Sequence, residues 1–234
     1  MQRQGRIIEQ LVDEQVAKWN RLKATSRGKE DLRTVITISR EPGADGTAIA
    51  KKLAETTGMD FMSGQIIQKV AQSAQLSEHV VASLDEKDIS FREDWLRILL
   101  DDRHLWPDSF LRHLIKVIST IGLHGNAIII GRGANHILPP SQTFRVRLIA
   151  PKEHRISNLM RNRKLSRNKA EEYLIKTESD RNAFIRKYFY ADISDPVHYD
   201  IVMNTSRLNI EGSVETIRHA YNSWRDSILR KHKQ

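Results

Sequence analysis

The chain has 234 residues, 39% of them hydrophobic and 29% charged, and its 38 Lys and Arg against 29 Asp and Glu give a net charge of +9. That suits one substantial core with room for an inserted lobe, and it excludes a disordered chain. No apolar run approaches the roughly 20 residues that cross a bilayer, the start MQRQGRIIEQLVDEQ has acids and glutamines where a signal peptide would have an apolar core, and without cysteine there is no disulfide framework, thiolate catalysis or Cys-based zinc site, so a cytoplasmic protein with an anionic ligand or partner is expected.

In chain order, residues 6–23 read as one helix, with Ile8, Leu11, Val12, Val16, Trp19 and Leu22 at spacings of three and four. Its apolar face packs on the main domain or on a second copy. The pattern leaves both open, and a homo-oligomer through this helix is one expectation. A polar stretch, 23–33, precedes Val35-Ile36-Thr37-Ile38, a β-branched run suited to a buried parallel strand. Gly43 and Gly46 then bracket a turn, and Ala48, Ile49, Ala50, Leu53 and Ala54 have helical spacing. Strand, glycine loop and helix point unpaired backbone N–H groups at one spot, which favours a phosphate. A Walker A loop, GxxxxGK[ST], adds a lysine for the phosphates and a hydroxyl for magnesium. Here the loop ends Asp45-Gly46-Thr47-Ala48, and the first lysine is Lys51, a turn into the helix.

Residues 58–61 end that helix in a short extended piece. Residues 64–121 are mostly helical by pattern, with one apolar stripe at Trp95, Leu96, Leu99 and Leu100 and another at Phe110, Leu111, Leu114, Ile115 and Ile118; Pro107 breaks or starts a helix. Residues 127–130 form a second buried strand, running into Gly131-Arg132-Gly133-Ala134. A third spans 144–150, a long helical region runs from 153 to about 190, and a fourth strand covers 199–204. A closing helix runs from Ser213, read as its N-cap, to Arg230. Alternating strands and helices imply a doubly wound α/β sheet whose ligands sit at the carboxyl ends of strands, where 39–47 and 131–133 lie.

Charge is unevenly spread. Residues 155–169 hold six Lys and Arg and no acid, whereas 85–102 is acidic. The basic run suits a phosphate-gripping flap or, more blandly, a solvated helix face. Nucleic acid is disfavoured as a partner, because aromatic clusters and RNP-type motifs are missing.

Taken together, ITISREPGADGTAIAKKLAE, AIIIGRGANHI, RVRLIAPKEHRI, SDRNAFIRKYF and DPVHYDIVMNTSRLNIEGSV resemble the cytidylate kinase-like family, a branch of the P-loop nucleoside monophosphate kinases, over about residues 34–220. The resemblance implies a three-layer α/β/α parallel sheet of P-loop kinase type in a domain spanning 34–234, preceded by the helix and linker of 1–33. It also implies a helical acceptor-binding insertion at about 60–120, a lid at about 153–190, nucleotide substrates, and ATP with Mg2+. By position, Ser39, Arg40, Glu41, Pro42, Gly43, Ala44, Asp45, Gly46 and Thr47 would hold ATP. Arg132 fits the arginine of a Gly-Arg-Asp motif, with Gly133 replacing the aspartate. Ser63-Gly64 resembles the tail of an Asp-Ser/Thr-Gly acceptor motif, with Met62 for the aspartate, and Asp180-Arg181-Asn182 the lid segment, with Asn182 for an acid.

Phosphoryl transfer needs in-line positioning and positive charge on the reacting oxygens. Arg40, at the strand end, is the first candidate, the alternative being a simple pair with Glu41 or Asp45. Arg132, between glycines, suits an anion. Arg155, Arg161, Arg163 and Arg181 complete the catalytic set as lid candidates, and Thr47 is the magnesium ligand. Glu41 and Asp45 oppose a phosphate unless magnesium or a proton neutralises them. Asp200 is a turn acid or an indirect partner of the metal. The reading is a phosphotransferase using ATP and a nucleoside monophosphate, CMP among the candidates; the alternative is a non-catalytic sensor of a nucleotide or phosphorylated metabolite.

Overall fold

The computed structural model describes residues 2–25, 33–84 and 108–231. The stripe at 95–100, Pro107 and the acidic segment 85–102 lie outside the described residues. The chain divides into two compact units, one of residues 1–33 with 63–125 and one of 34–62 with 126–234.

The larger unit is built on a sheet of order β2-β3-β1-β4-β5: β1 (Val35–Arg40), β2 (Asp60–Ser63, ending at the unit boundary), β3 (Ala127–Ile130), β4 (Thr143–Ile149) and β5 (Ile201–Asn204). β1 pairs parallel with β3 and β4, and β4 with β5. The fold is α/β. Helix α2 (Gly46–Thr57) turns Ile49, Ala50, Leu53 and Ala54 onto Ile36, Ile38, Val146 and Leu148, and the closing helix adds Val214, Ile217 and Tyr221 to the same core. Alternation along β1 and β4 sends Ser39 and Arg147, paired in register, to the opposite face.

The closing helix runs Ile210–Lys231, so Ser213 is not its N-cap; it is an interior, fully buried residue. Asn209 does the capping, its Oδ1 accepting from the Gly212 N–H at 2.7 Å. The basic helical region is two helices, Lys152–Arg163 and Arg167–Phe189, broken where Lys164 turns left-handed at φ 54°. Ile156, Leu159, Ala170 and Leu174 pack them together.

In the smaller unit, α1 (Gln2–Thr25) buries Val12, Val16 and Trp19 and packs on α3 (Gly64–Ala71) and α4 (Ala74–Val81), while Leu11 and Leu22 stay exposed. Trp19 stacks on His124 at 4.1 Å, near the end of α5 (Ser109–His124), and His124 Nε2 meets Ser83 Oγ at 2.8 Å. The next helices in order are α6 (Ala134–Ile137), α7 (Lys152–Arg163), α8 (Arg167–Phe189) and α9 (Ile210–Lys231).

Candidate functional site

The loop from β1 to α2 turns by giving positive φ to two residues, Gly43 at 84° and Asp45 at 49°. At Gly43 a Cβ would collide with the Arg155 carbonyl, so the loop's close approach to α7 requires glycine. Asp45 stands at the N-cap of α2 without capping it. Its carboxylate accepts instead from Asn158 Nδ2 at 2.7 Å and Asn162 Nδ2 at 3.3 Å, while Asn158 Nδ2 also donates to the Gly43 carbonyl at 2.9 Å. The N–H groups of Gly46, Thr47 and Ala48 therefore have no acceptor among the described residues. Three converging donors at a helix N-terminus make an anion cradle.

Glu41 is turned away as well. Its Oε2 accepts from the Ala150 N–H at 3.0 Å and lies 3.3 Å from Arg155 Nε. Arg155 Nε donates to the Ala150 carbonyl at 2.8 Å, and its Nη1 to Glu178. Both loop acids thus face donors on or beside α7, which answers the expectation that they oppose a phosphate.

Arg40 pairs with neither acid. Its side chain passes against Gly46, where a Cβ would come within 2.7 Å of Arg40 Cβ and Cγ, and its Nη1 reaches Gly131, where a Cβ would overlap it. The guanidinium has no hydrogen-bond acceptor or carboxylate among the described residues. Burial, then repulsion from Arg181 and Arg132, pushes its pKa down to about 9. It remains a cation at neutral pH, held where only an anion would relieve it.

A cavity of about 380 Å³ opens beside the free amides, lined by residues of the loop, Arg40, Thr47, Lys51, Asn158, Asn162, Arg163, Tyr173 and Arg181. Thr47 is exposed on its wall. Arg181 Nη1 donates to the Arg40 carbonyl at 2.6 Å, and burial lowers its pKa. Arg163 lies over the Tyr173 ring at 4.4 Å. Arg161 Nη2 donates to Asn158 Oδ1 at 2.8 Å and lines a neighbouring cavity of about 320 Å³. Arg132 takes a left-handed φ of 59°, and burial lowers its pKa too. The aspartate position beside it has no room for a side chain, because a Cβ on Gly133 would run into the Phe189 ring.

Other expected residues lie elsewhere. Asp180 is exposed on α8. Ser63 and Gly64 fall in the smaller unit, where Ser63 Oγ caps α3 by accepting from the Gln65 N–H at 3.3 Å. Asp200 grips Arg145 through its backbone N–H, Nε and Nη2, the work of a structural acid rather than a metal partner. Among the described residues no group of three His, Cys, Asp or Glu could hold a metal ion.

Sequence reading assigned no site role to four of the cavity residues just named, Lys51, Asn158, Asn162 and Tyr173. Lys51 was legible, since Thr47 and Lys51 stand four apart and share a helix face. Asn158 carried no signal, because its partners lie more than a hundred positions earlier.

The model of the cytidylate kinase-like family matches residues 35–207. Among curated proteins, the chain is 28% identical over 188 residues to a cytidylate kinase of Ignicoccus hospitalis, covering 79% of this chain and 97% of that protein. It is 26% identical over 185 residues to one of Staphylothermus marinus, covering 79% and 94%. Among solved structures, an uncharacterized protein from Eubacterium ventriosum superposes with a TM-score of 0.61 at 18% identity, covering 81% of this chain and 99% of that one, which speaks for the fold alone. No helix among the described residues is long and apolar enough to cross a membrane.

Proposed function

Because the chain belongs to the cytidylate kinase-like family, we propose that it is a P-loop-type kinase that transfers the γ-phosphoryl group of ATP to a nucleoside monophosphate, with CMP the first acceptor to try. One observation carries this reading: the open amides of Gly46, Thr47 and Ala48 face the same cavity as the unpaired cation of Arg40. Amides cradle phosphate oxygens, and fixed cations answer the charge that builds on them during transfer. Arg40 and Arg181 take the cavity side in this scheme, and Arg132, beside Arg40 Nη1 at Gly131, the acceptor phosphate. Lys51 supplies charge on the cavity wall without standing at the Walker position.

The cavity suits the phosphates of ATP, since donors line it and its acids are turned away. Magnesium fits through the Thr47 hydroxyl and the nucleotide's own oxygens, as this ion keeps most of its waters and few protein ligands. Held there, it would supply positive charge against the nucleotide's phosphates.

The test is ADP production from Mg·ATP against a panel of nucleoside monophosphates, with Arg40→Ala and Arg132→Ala alongside. Turnover with one acceptor, falling by about ten- to a hundred-fold in each variant, is expected from the loss of a charge-assisted contact. The missing loop lysine favours a second reading, a non-catalytic nucleotide sensor. Binding of Mg·ATP without turnover on any acceptor would replace the kinase with that sensor.

A further inference from the structure

Two arginines sit on the same face of β4, two positions apart. Arg145 has its acid, Asp200, in a two-pronged grip. Arg147 has none among the described residues. It is nonetheless the more deeply buried of the two, at 6% exposure, and makes a single hydrogen bond, Nη1 to Ser39 Oγ at 2.9 Å, with its guanidinium 5.6 Å from the centroid of the Tyr199 ring. The single proton of Tyr199 OH goes to the Ile193 carbonyl at 2.8 Å, so at 3.3 Å the same oxygen can accept from Ser39, whose hydroxyl is engaged on both sides. A guanidinium carries five N–H donors, and leaving such a group buried and unanswered is costly.

The remaining donors of Arg147 meet a cavity of about 210 Å³, walled also by Arg40, Arg181, Glu178, Ile193 and Ser194. None of the nearby acids forms an ion pair with Arg147. Glu41 and Glu178 both serve Arg155, and Asp192, whose charge Arg147 favours from a distance, accepts from the Ser194 N–H at 2.8 Å and Oγ at 2.7 Å. An arginine acting only as a strut would have its Asp200; this one has an open, donor-lined hollow.

The geometry points to a second oxyanion subsite on the β4 side of the loop, separate from the amides of α2, in which Arg147, held in place by Ser39 Oγ, binds a phosphate group of a small molecule, with Arg40 and Arg181 shared between the two hollows. A ligand reaching both carries at least two anionic groups. The inference stands on Arg147 and its cavity, not on the kinase reading.

The test titrates inorganic phosphate calorimetrically into protein saturated with Mg·ADP, which occupies the loop. Wild type is expected to bind one equivalent. Arg147→Met weakens this by about ten-fold or more, Arg147→Lys keeps the charge and most of the affinity, and Ser194→Glu, an exposed change at the cavity mouth, weakens phosphate as strongly while leaving ADP affinity in place. Phosphate that fails to bind wild type, or binds both Arg147→Met and Ser194→Glu as well as wild type, overturns the subsite. Should Arg147→Met not fold, Ser194→Glu decides. Should Mg·ADP itself not bind, the kinase reading falls, and the same comparison on nucleotide-free protein still judges the subsite.

Discussion

Arg155 and Arg40 flank the same loop with the same chemical group in opposite circumstances. Arg155 is buried at 8% exposure and answered on every side by the Ala150 carbonyl, Glu41 and Glu178. Arg40, with a pKa forced down to about 9 by burial and by Arg181 and Arg132, has only the weak electrostatic help of Tyr173. One arginine holds the loop to α7; the other stands on the cavity with no acid beside it, which is why the proposed function gives it a ligand. A buried cation without a counter-ion destabilises a fold, so its persistence at a cavity marks a ligand site better than charge density does.

Stability measurements break or confirm that contrast most sharply. Arg155→Met leaves Glu41 and Glu178 partly buried without their shared cation and is expected to cost about 3–5 kcal/mol of unfolding free energy. Arg40→Met removes a strained charge and should leave the nucleotide-free protein as stable as before, or more so. Urea midpoints of the two variants decide it; equal losses would mean that Arg40 is as structural as Arg155.

The next effect is smaller and concerns how the amides of α2 are kept open. Asn158 draws the Asp45 carboxylate away from the helix N-terminus that such a residue ordinarily caps. In Asn158→Ala that carboxylate loses its stronger partner and is free to cap Gly46, Thr47 or Ala48, competing with a bound anion. We expect about 1–2 kcal/mol of lost stability and weaker Mg·ADP binding, although no cavity cation has changed. Unaltered ADP affinity, measured by calorimetry, would show that Asn158 merely braces the loop.

The sheet, the glycine loop between β1 and α2 and the family resemblance were legible because they rest on local patterns: the β-branched run 35–38, the isoleucines of 127–130, the glycines at 43 and 46. Arg40 could be picked out by its place at a strand end. What could not be read was which arginines are already answered. Arg155, Arg161 and Arg163 lie in one basic stretch and Arg181 further along the same helical region, and only folding brings Glu41 to the first and Asn158 to the second while leaving the others on the cavity. Ser213 misled for a related reason. A serine before a helical pattern looks like a cap, but Asn209 stands nearer the true start and buries Ser213 a turn inside. Arg147 was missed because an alternating strand residue reads as solvent-facing until the far side is covered.

His136 supplies the smallest and most discriminating extension of the comparison. Like Arg40 it is a base without a hydrogen-bond acceptor, its Nε2 buried and unpartnered among the described residues, but it lines none of the cavities described above. It is stacked at 5.2 Å on Phe189, with His198 and Arg145 nearby. Burial first, then those two neighbours, lowers its pKa to about 4, against about 6.5 for an unfolded chain. Where Arg40 keeps its charge for a ligand, His136 has none to answer it and stays neutral. Between pH 6.5 and 4 the unfolded chain therefore binds a proton that the folded one refuses, and stability falls as the pH drops through that window. His136→Phe preserves the ring contact and removes the titration. Urea midpoints taken from pH 7.5 to 4.5 should fall more steeply for wild type than for the variant; parallel curves would mean that His136 takes up its proton in the fold, and that an unanswered base there costs nothing.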